Sequence, residues 1–201
     1  MLLDIKEEEK EDLMDVRGEV RGLALKAELE LVKGREGEEG LKKLEAALSE
    51  LGFPDLTLGK VRTGKLYPLR AWGFLLVSMR EIFGYKEEDF VQIGKYDVKL
   101  SRLIKLFVQS FVSVDMVFNV AETMWRKYFT VGKLEVAELN KKENYIVVRL
   151  RDFYLHPLHC QVFKGHFLAA LQMIFKNHVS CQEEKCIYEG DDFHEFILRW
   201  K

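Results

Sequence analysis

Residues 145–151 read Tyr145-Ile146-Val147-Val148-Arg149-Leu150-Arg151, and this stretch decides the fold class. Ile146, Val148 and Leu150 share one parity while Arg149 and Arg151 share the other, the period of two that a half-buried antiparallel strand requires. Upstream, Val131 to Asn140 also alternates but slips phase: Leu134 and Val136 fall on one parity, Ala137 and Leu139 on the other. The slip predicts a β-bulge, and Lys141 to Asn144 supplies the turn between the two strands. Downstream, Pro157 opens a helix running to about Phe175, with Phe163, Phe167, Leu171 and Ile174 as its core-facing stripe. Val179 to Tyr188 and Phe193 to Lys201 form a second hairpin around Glu189-Gly190-Asp191-Asp192, with His194, Phe196, Leu198 and Trp200 on one face of the last strand. Residues of about 130–201 therefore read β-β-α-β-β, an antiparallel four-stranded sheet with one helix.

Ahead of Tyr128 the period is helical. Leu23, Ala27 and Leu31 recur at spacing four and end near Gly34; Leu41, Leu44, Leu48 and Leu51 make a second helix closed by Gly52 and Pro54. Residues 53–68 have no clear period and read as a connection. Leu69 to Phe83, with Trp72, Leu75, Leu76 and Met79, forms a helix stopped by Gly84, and a shorter helix follows from about Glu87 to Ile93. Residues 100–129 are apolar throughout and predict one long or broken buried helix. The expected fold is α+β, with a helical half over about 20–129 and the β-β-α-β-β half after it. Residues 20–201 form a single domain, and residues 1–19 an acidic, flexible start.

The chain has 201 residues, 48% of them hydrophobic, with 14 Gly and 3 Pro, which suffices for one substantial core and excludes collagenous or disordered classes. No apolar run approaches the ~20 residues needed to span a bilayer, and Met1 to Glu11 is too acidic for a secretory signal, so no membrane insertion and a cytoplasmic location are expected. Three cysteines fit a reducing compartment. A net charge of -2 argues against nucleic acid as a partner. That charge is uneven, because residues 1–50 carry 9 Lys/Arg against 15 Asp/Glu and residues 51–201 carry 22 against 18.

Two motifs go further. Phe163-Lys164-Gly165-His166-Phe167-Leu168-Ala169 and Cys186-Ile187-Tyr188-Glu189-Gly190-Asp191-Asp192-Phe193-His194-Glu195-Phe196, together with Trp125 followed by Gly132, resemble the 4-vinyl-reductase-like (4VR) small-molecule-binding domain and a related uncharacterised bacterial family. The resemblance spans roughly residues 20–201. Where that family usually has a second cysteine in the last strand, this chain has His194. The resemblance implies the ligand-binding fold shared with bacterial haem-nitric-oxide sensors and the small subunits of the TRAPP tethering complex. The haem sensors carry their iron-ligating histidine in the helical half and a Tyr-x-Ser-x-Arg element. Here all five histidines lie at 156 or later and Tyr154 is followed by Leu-His-Pro, so haem is not expected. The TRAPP subunits hold an acyl chain on a cysteine of the helical half; Cys160, Cys181 and Cys186 are all C-terminal, so that chemistry is not carried over.

Cys181, Cys186 and His194 form the candidate metal site, with zinc as the ion, because thiolate and imidazole are its usual donors and a hairpin sets its strands about 5 Å apart. Cys181 and Cys186 differ in parity, so a site needs Cys181 in a bulge or turn and a fourth donor such as Cys160, Glu183 or water; the alternative is buried inert thiols. His156, His159, Cys160 and His166 cluster around the start of the C-terminal helix and read as capping or pocket-lining groups. Gly165 and Ala169 allow that helix a close approach. Phe111, Phe118, Trp125, Phe163 and Phe167 are the candidate lining of a ligand cavity between this helix, the sheet and the long buried helix, against the alternative of a filled core. No nucleophile elbow, phosphate loop, dinucleotide fingerprint or HExxH pair occurs, so catalysis has no support. The expected function is a non-enzymatic sensor that binds a small hydrophobic molecule and passes occupancy to a homodimer mate or signalling partner. The alternatives are a dimeric interaction scaffold with a filled core and a zinc-dependent or redox protein.

Overall fold

The computed structural model describes residues 3, 5–100, 115–175 and 178–201. In chain order they form α1 (Glu7–Asp15), β1 (Glu19–Arg21), α2 (Gly22–Glu50), β2 (Leu66–Pro68), α3 (Leu69–Phe83), α4 (Glu87–Leu100), α5 (Asp115–Tyr128), β3 (Lys133–Asn140), β4 (Tyr145–Arg151), α6 (Leu158–Ile174), β5 (Val179–Lys185), a 3-10 turn (Ile187–Glu189) and β6 (His194–Trp200). The architecture is α+β, a helical N-terminal half followed by an antiparallel sheet of order β3-β4-β6-β5. The phase slip in β3 is a bulge between Val136 and Glu138. A second bulge lies in β5, between Glu183 and Lys185.

Parity sorts the sheet as the alternation requires. Ile146, Val148 and Leu150 of β4 and Phe196, Leu198 and Trp200 of β6 are buried on the face that α6 covers. On the other face Arg149 bonds Glu195 across β4 and β6 at 2.6 Å, Arg151 bonds Glu135 at 2.9 Å, and the Arg151 guanidinium stacks 4.2 Å from the Phe193 ring centre. The outer face is thus held by charge and cation-π contacts, the inner one by apolar burial.

The helical half departs from the sequence reading in four places, the first being α4, which runs on to Leu100 instead of ending near Ile93. The two helices expected over this stretch are present within α2, but the break between them lies at Gly37 rather than near Gly34, and the Gly37 φ of 74° lies in the region glycine alone enters freely. Within the connection, Leu66–Pro68 pairs with Glu19–Arg21 as a small two-stranded ribbon. The acidic start forms α1, and Leu13 is fully buried against Gly73 of α3, where an added Cβ would lie 2.4 Å from Leu13 Cδ2. Glu9 of α1 accepts from Arg80 at 2.8 Å and contacts His156 at 2.6 Å. One leucine seated in a glycine hollow and one doubly bonded carboxylate supply the anchorage that composition does not reveal.

The helix pair α4 and α6 joins the two halves. Gly94 of α4 and Gly165 of α6 meet backbone to backbone: a Cβ on Gly94 would fall 1.9 Å from the Val162 carbonyl oxygen, and one on Gly165 would fall 2.1 Å from that of Val91. Neither position has room for a side chain. Among the described residues no helix is long and apolar enough to cross a membrane.

Candidate functional site

Four donors converge at the end of the sheet. Pro157 opens α6 so that Cys160, in its first turn, is buried over the sheet. The bulge in β5 places Glu183 beside it, and Cys186 follows on extended backbone, fixed by its N–H donating to Asp191 Oδ2 at 2.9 Å. His194 begins β6 and is fully buried. Cys160 Sγ lies 3.9 Å from Cys186 Sγ and 3.7 Å from His194 Nδ1, and His194 Nδ1 lies 2.9 Å from Glu183 Oε1. One donor atom from each residue fits within 4.8 Å of all the others. Cys186 and His194 thus come together as the sequence suggests, with Cys160 and Glu183 completing the set. Cys181 does not join them: it pairs with Leu198 further along β5 and belongs to the apolar core.

Two sulfurs, one imidazole nitrogen and one carboxylate oxygen match the tetrahedral preference of zinc, and four protein donors make a closed, structural type of site. Burial pushes the Cys160 thiol far up, with Glu183 and Cys186 adding to the effect, and burial also raises Cys186. A divalent cation reverses that balance, because it stabilises thiolates that the apolar surroundings otherwise forbid. Tyr188 and His159 wall the centre, with ring centres 5.8 Å and 5.0 Å from that of His194.

The remaining histidines of α6 serve separate tasks. His156 Nδ1 accepts the Leu158 N–H at 3.1 Å, capping the helix start, while its Nε2 meets Glu9. His159 Nδ1 lies 2.6 Å from the His156 carbonyl oxygen, and burial lowers this imidazole well below its ordinary range. His166 Nε2 lies 3.0 Å from Asp97 Oδ2 of α4, and burial takes His166 down to about 4.

Of the aromatic residues expected to line a cavity, Trp125 and Phe163 are buried in an interlocked group with Trp72, Phe129 and Phe153. Trp125 stacks on Phe129 at 4.3 Å, and Phe163 lies 5.3 Å from Trp125 and 5.5 Å from Phe153. Phe167 packs on Phe196 at 5.0 Å. Phe111 and the side chain of Phe118 lie outside the described residues. The described aromatics therefore form a continuous wall between α3, α5, α6 and the sheet.

Two interior carboxyls escaped the sequence reading. Glu28 of α2 is fully buried and accepts from Trp72 Nε1 at 2.6 Å, and Asp97 of α4 is the partner of His166. Burial raises both well above the ordinary carboxylate range; the charge of Asp97 raises Glu28 further, while the Trp72 bond opposes. Glu28 Oε2 and Asp97 Oδ1 have no hydrogen-bond partner among the described residues. The available signal was position, since Glu28 interrupts the apolar stripe of Ala24, Leu25, Leu31 and Val32.

No protein-family model matches this chain, and no curated protein does. Among solved structures, an H-NOX protein from S. oneidensis in the Fe(II)NO ligation state superposes at TM-score 0.67 and 15% identity, covering 90% of this chain and 99% of that one. The A71G mutant of Fe(II) unliganded H-NOX protein from K. algicida gives TM-score 0.69 at 14% identity, covering 90% and 96%. A structure concerned with modulating haem redox potential through porphyrin distortion gives TM-score 0.58 at 14% identity, covering 90% and 99%. The chain thus shares the fold of these H-NOX proteins. This corrects the expectation that haem is not bound: it rested on missing motifs, whereas the structures sharing this fold along nine-tenths of the chain include haem proteins.

Proposed function

We propose that this chain is a non-enzymatic sensory domain, of the 4VR-like type, that holds a small molecule in its interior and a structural zinc ion at the end of its sheet. The carrying observation is the group Cys160, Glu183, Cys186 and His194, four donors brought within 4.8 Å from α6, β5, the turn and β6. Zinc there ties the first turn of α6 to the closing hairpin, and α6 is the helix whose Gly165 touches α4. The fold likeness supports the sensory part of the reading, and the aromatic set Phe111, Phe118, Trp125, Phe163 and Phe167 is our assignment for the apolar lining. Occupancy would pass to a second copy of the chain or to a signalling partner.

Metal analysis of natively purified protein tests the centre. One zinc per chain is expected, lost in Cys160→Ser and Cys186→Ser; a folded wild-type chain without metal contradicts it.

Haem is a second reading, favoured by the fold likeness. Iron in haem takes a neutral imidazole, thiolate or phenolate from the protein. Among the described residues, His159 and His166 of α6 are imidazoles kept neutral by burial, so the donor chemistry is present. His166 is the residue that would hold iron, with Asp97 orienting its ring; the group would supply binding of a diatomic gas. Expression with added haem precursor and a visible spectrum tests this: a Soret band lost in His166→Ala supports it, and no band removes it.

A further inference from the structure

The interior of the helical half carries a polar arrangement that the metal centre does not use. Four helices contribute one side chain each: Glu28 from α2, Trp72 from α3, Asp97 from α4 and His166 from α6. The glycine contact explains part of it. With Gly94 and Gly165 backbone to backbone, Asp97 stands one turn beyond Gly94 and His166 stands next to Gly165, so the two side chains meet at 3.0 Å. On the other side, Trp72 Nε1 donates to Glu28 at 2.6 Å.

Each carboxyl spends one oxygen on those bonds and leaves the other, Glu28 Oε2 and Asp97 Oδ1, buried without a partner among the described residues. Glu28 is fully buried and Asp97 is 8% exposed. An unpaired buried acceptor is costly, and more so when charged. Among the described residues, the charge of Asp97 acts on Glu28, and no lysine or arginine is a cause acting on either acid. Once ionised, the pair would make an electronegative spot in a low-dielectric interior, one that among the described residues lacks a hydrogen-bond donor with positive charge. Beside it stand ring faces, with the Phe163 centre 5.8 Å from Trp72 and 5.7 Å from His166.

We propose that Glu28 and Asp97 are the anchor for a small molecule carrying a primary ammonium on an apolar, ring-sized body, with the unpartnered oxygens accepting from the ammonium and Trp72 and Phe163 contacting the body. This names the ligand class of the interior site and rests on the small-molecule reading above. An ammonium brings charged donors to the orphan acceptors and places a cation against aromatic faces.

Calorimetric titration of the full chain with 2-phenylethylamine and with 2-phenylethanol, its uncharged counterpart, tests it. The amine is expected to bind at least about tenfold more tightly than the alcohol, and Glu28→Gln and Asp97→Asn each to erase most of that preference. In the wild type, amine affinity is expected to rise as pH climbs above the ordinary carboxylate range and the carboxyls ionise, a readout that needs no variant. Equal or tighter binding of the alcohol overturns the ammonium assignment and leaves the small-molecule reading standing. Amine binding that ignores pH and both substitutions also overturns it. Binding of neither probe counts against both.

Discussion

Replacing Cys160 or Cys186 with serine removes a donor from a four-donor set, whereas Cys181→Ser changes only a core thiol opposite Leu198. The first two are expected to abolish metal retention and the third to leave it intact, as elemental analysis of the three purified variants will show. Metal loss in Cys181→Ser with retention in Cys186→Ser would reassign the centre. At Glu28 the expectation concerns pH. Its folded-state pKa is raised, so the folded chain keeps a proton that the unfolded chain releases above the ordinary carboxylate range. Without ligand, stability is therefore full at low pH and declines as pH rises, by up to about 1.4 kcal/mol per unit for each such carboxyl. Asp97 on α4 contributes in the same direction; His166 on α6, lowered to about 4, acts in the opposite one and takes stability away as pH falls below its ordinary value. Glu28→Gln keeps an oxygen for Trp72 and deletes one titration. Urea midpoints at about pH 5 and about pH 8 are expected to differ less in Glu28→Gln than in the wild type; equal differences would mean that Glu28 is already ionised in the folded chain.

At the scale of elements, the contact between α4 and α6 and the docking of α1 carry the sharpest consequences. Gly94→Ala drives a methyl group into the Val162 carbonyl, and neither helix backbone can yield without disturbing Asp97 and His166. It is expected to cost about 3 kcal/mol or more, read by urea unfolding, against a negligible effect for Gly59→Ala in open space on the surface connection. Leu13→Ala empties the seat on Gly73 and is expected to cost about 2–5 kcal/mol; a change under about 0.5 kcal/mol would show that α1 is not held as described. These elements also mark where sequence alone stops. The sheet, its β3 bulge and the buried parity of β6 were legible because period-two alternation records which side chains face the core. Gly165 was visible as a small residue, but its partner Gly94 lies far away in sequence and has no local signature. Cys186 and His194 were legible as hairpin neighbours. Cys160 and Glu183 could only be named as alternatives, since placing them depends on a helix docking and on a bulge that no alternation in Val179–Lys185 announces. The pairing of Glu28 with Asp97 was hidden for the same reason: Glu28 stands out only by interrupting an apolar stripe, and Asp97 looks like a solvated charge until its helix is packed.

For the whole molecule, the four-donor group and the glycine crossing sit on one helix, α6, which spans from the sheet end to the helical half. A metal that fixes the first turn of α6 therefore stabilises the helix against which α4 and its Asp97 are packed. Chelation is expected to lower the melting temperature by at least about 5 °C, with full recovery on adding zinc back; a melting curve indifferent to chelator and to zinc would detach the centre from the fold. The most direct test is the native mass of freshly purified protein set against its denatured mass. The account predicts a native excess of one zinc per chain, absent in Cys186→Ser. A native mass equal to that of the bare folded chain would contradict it.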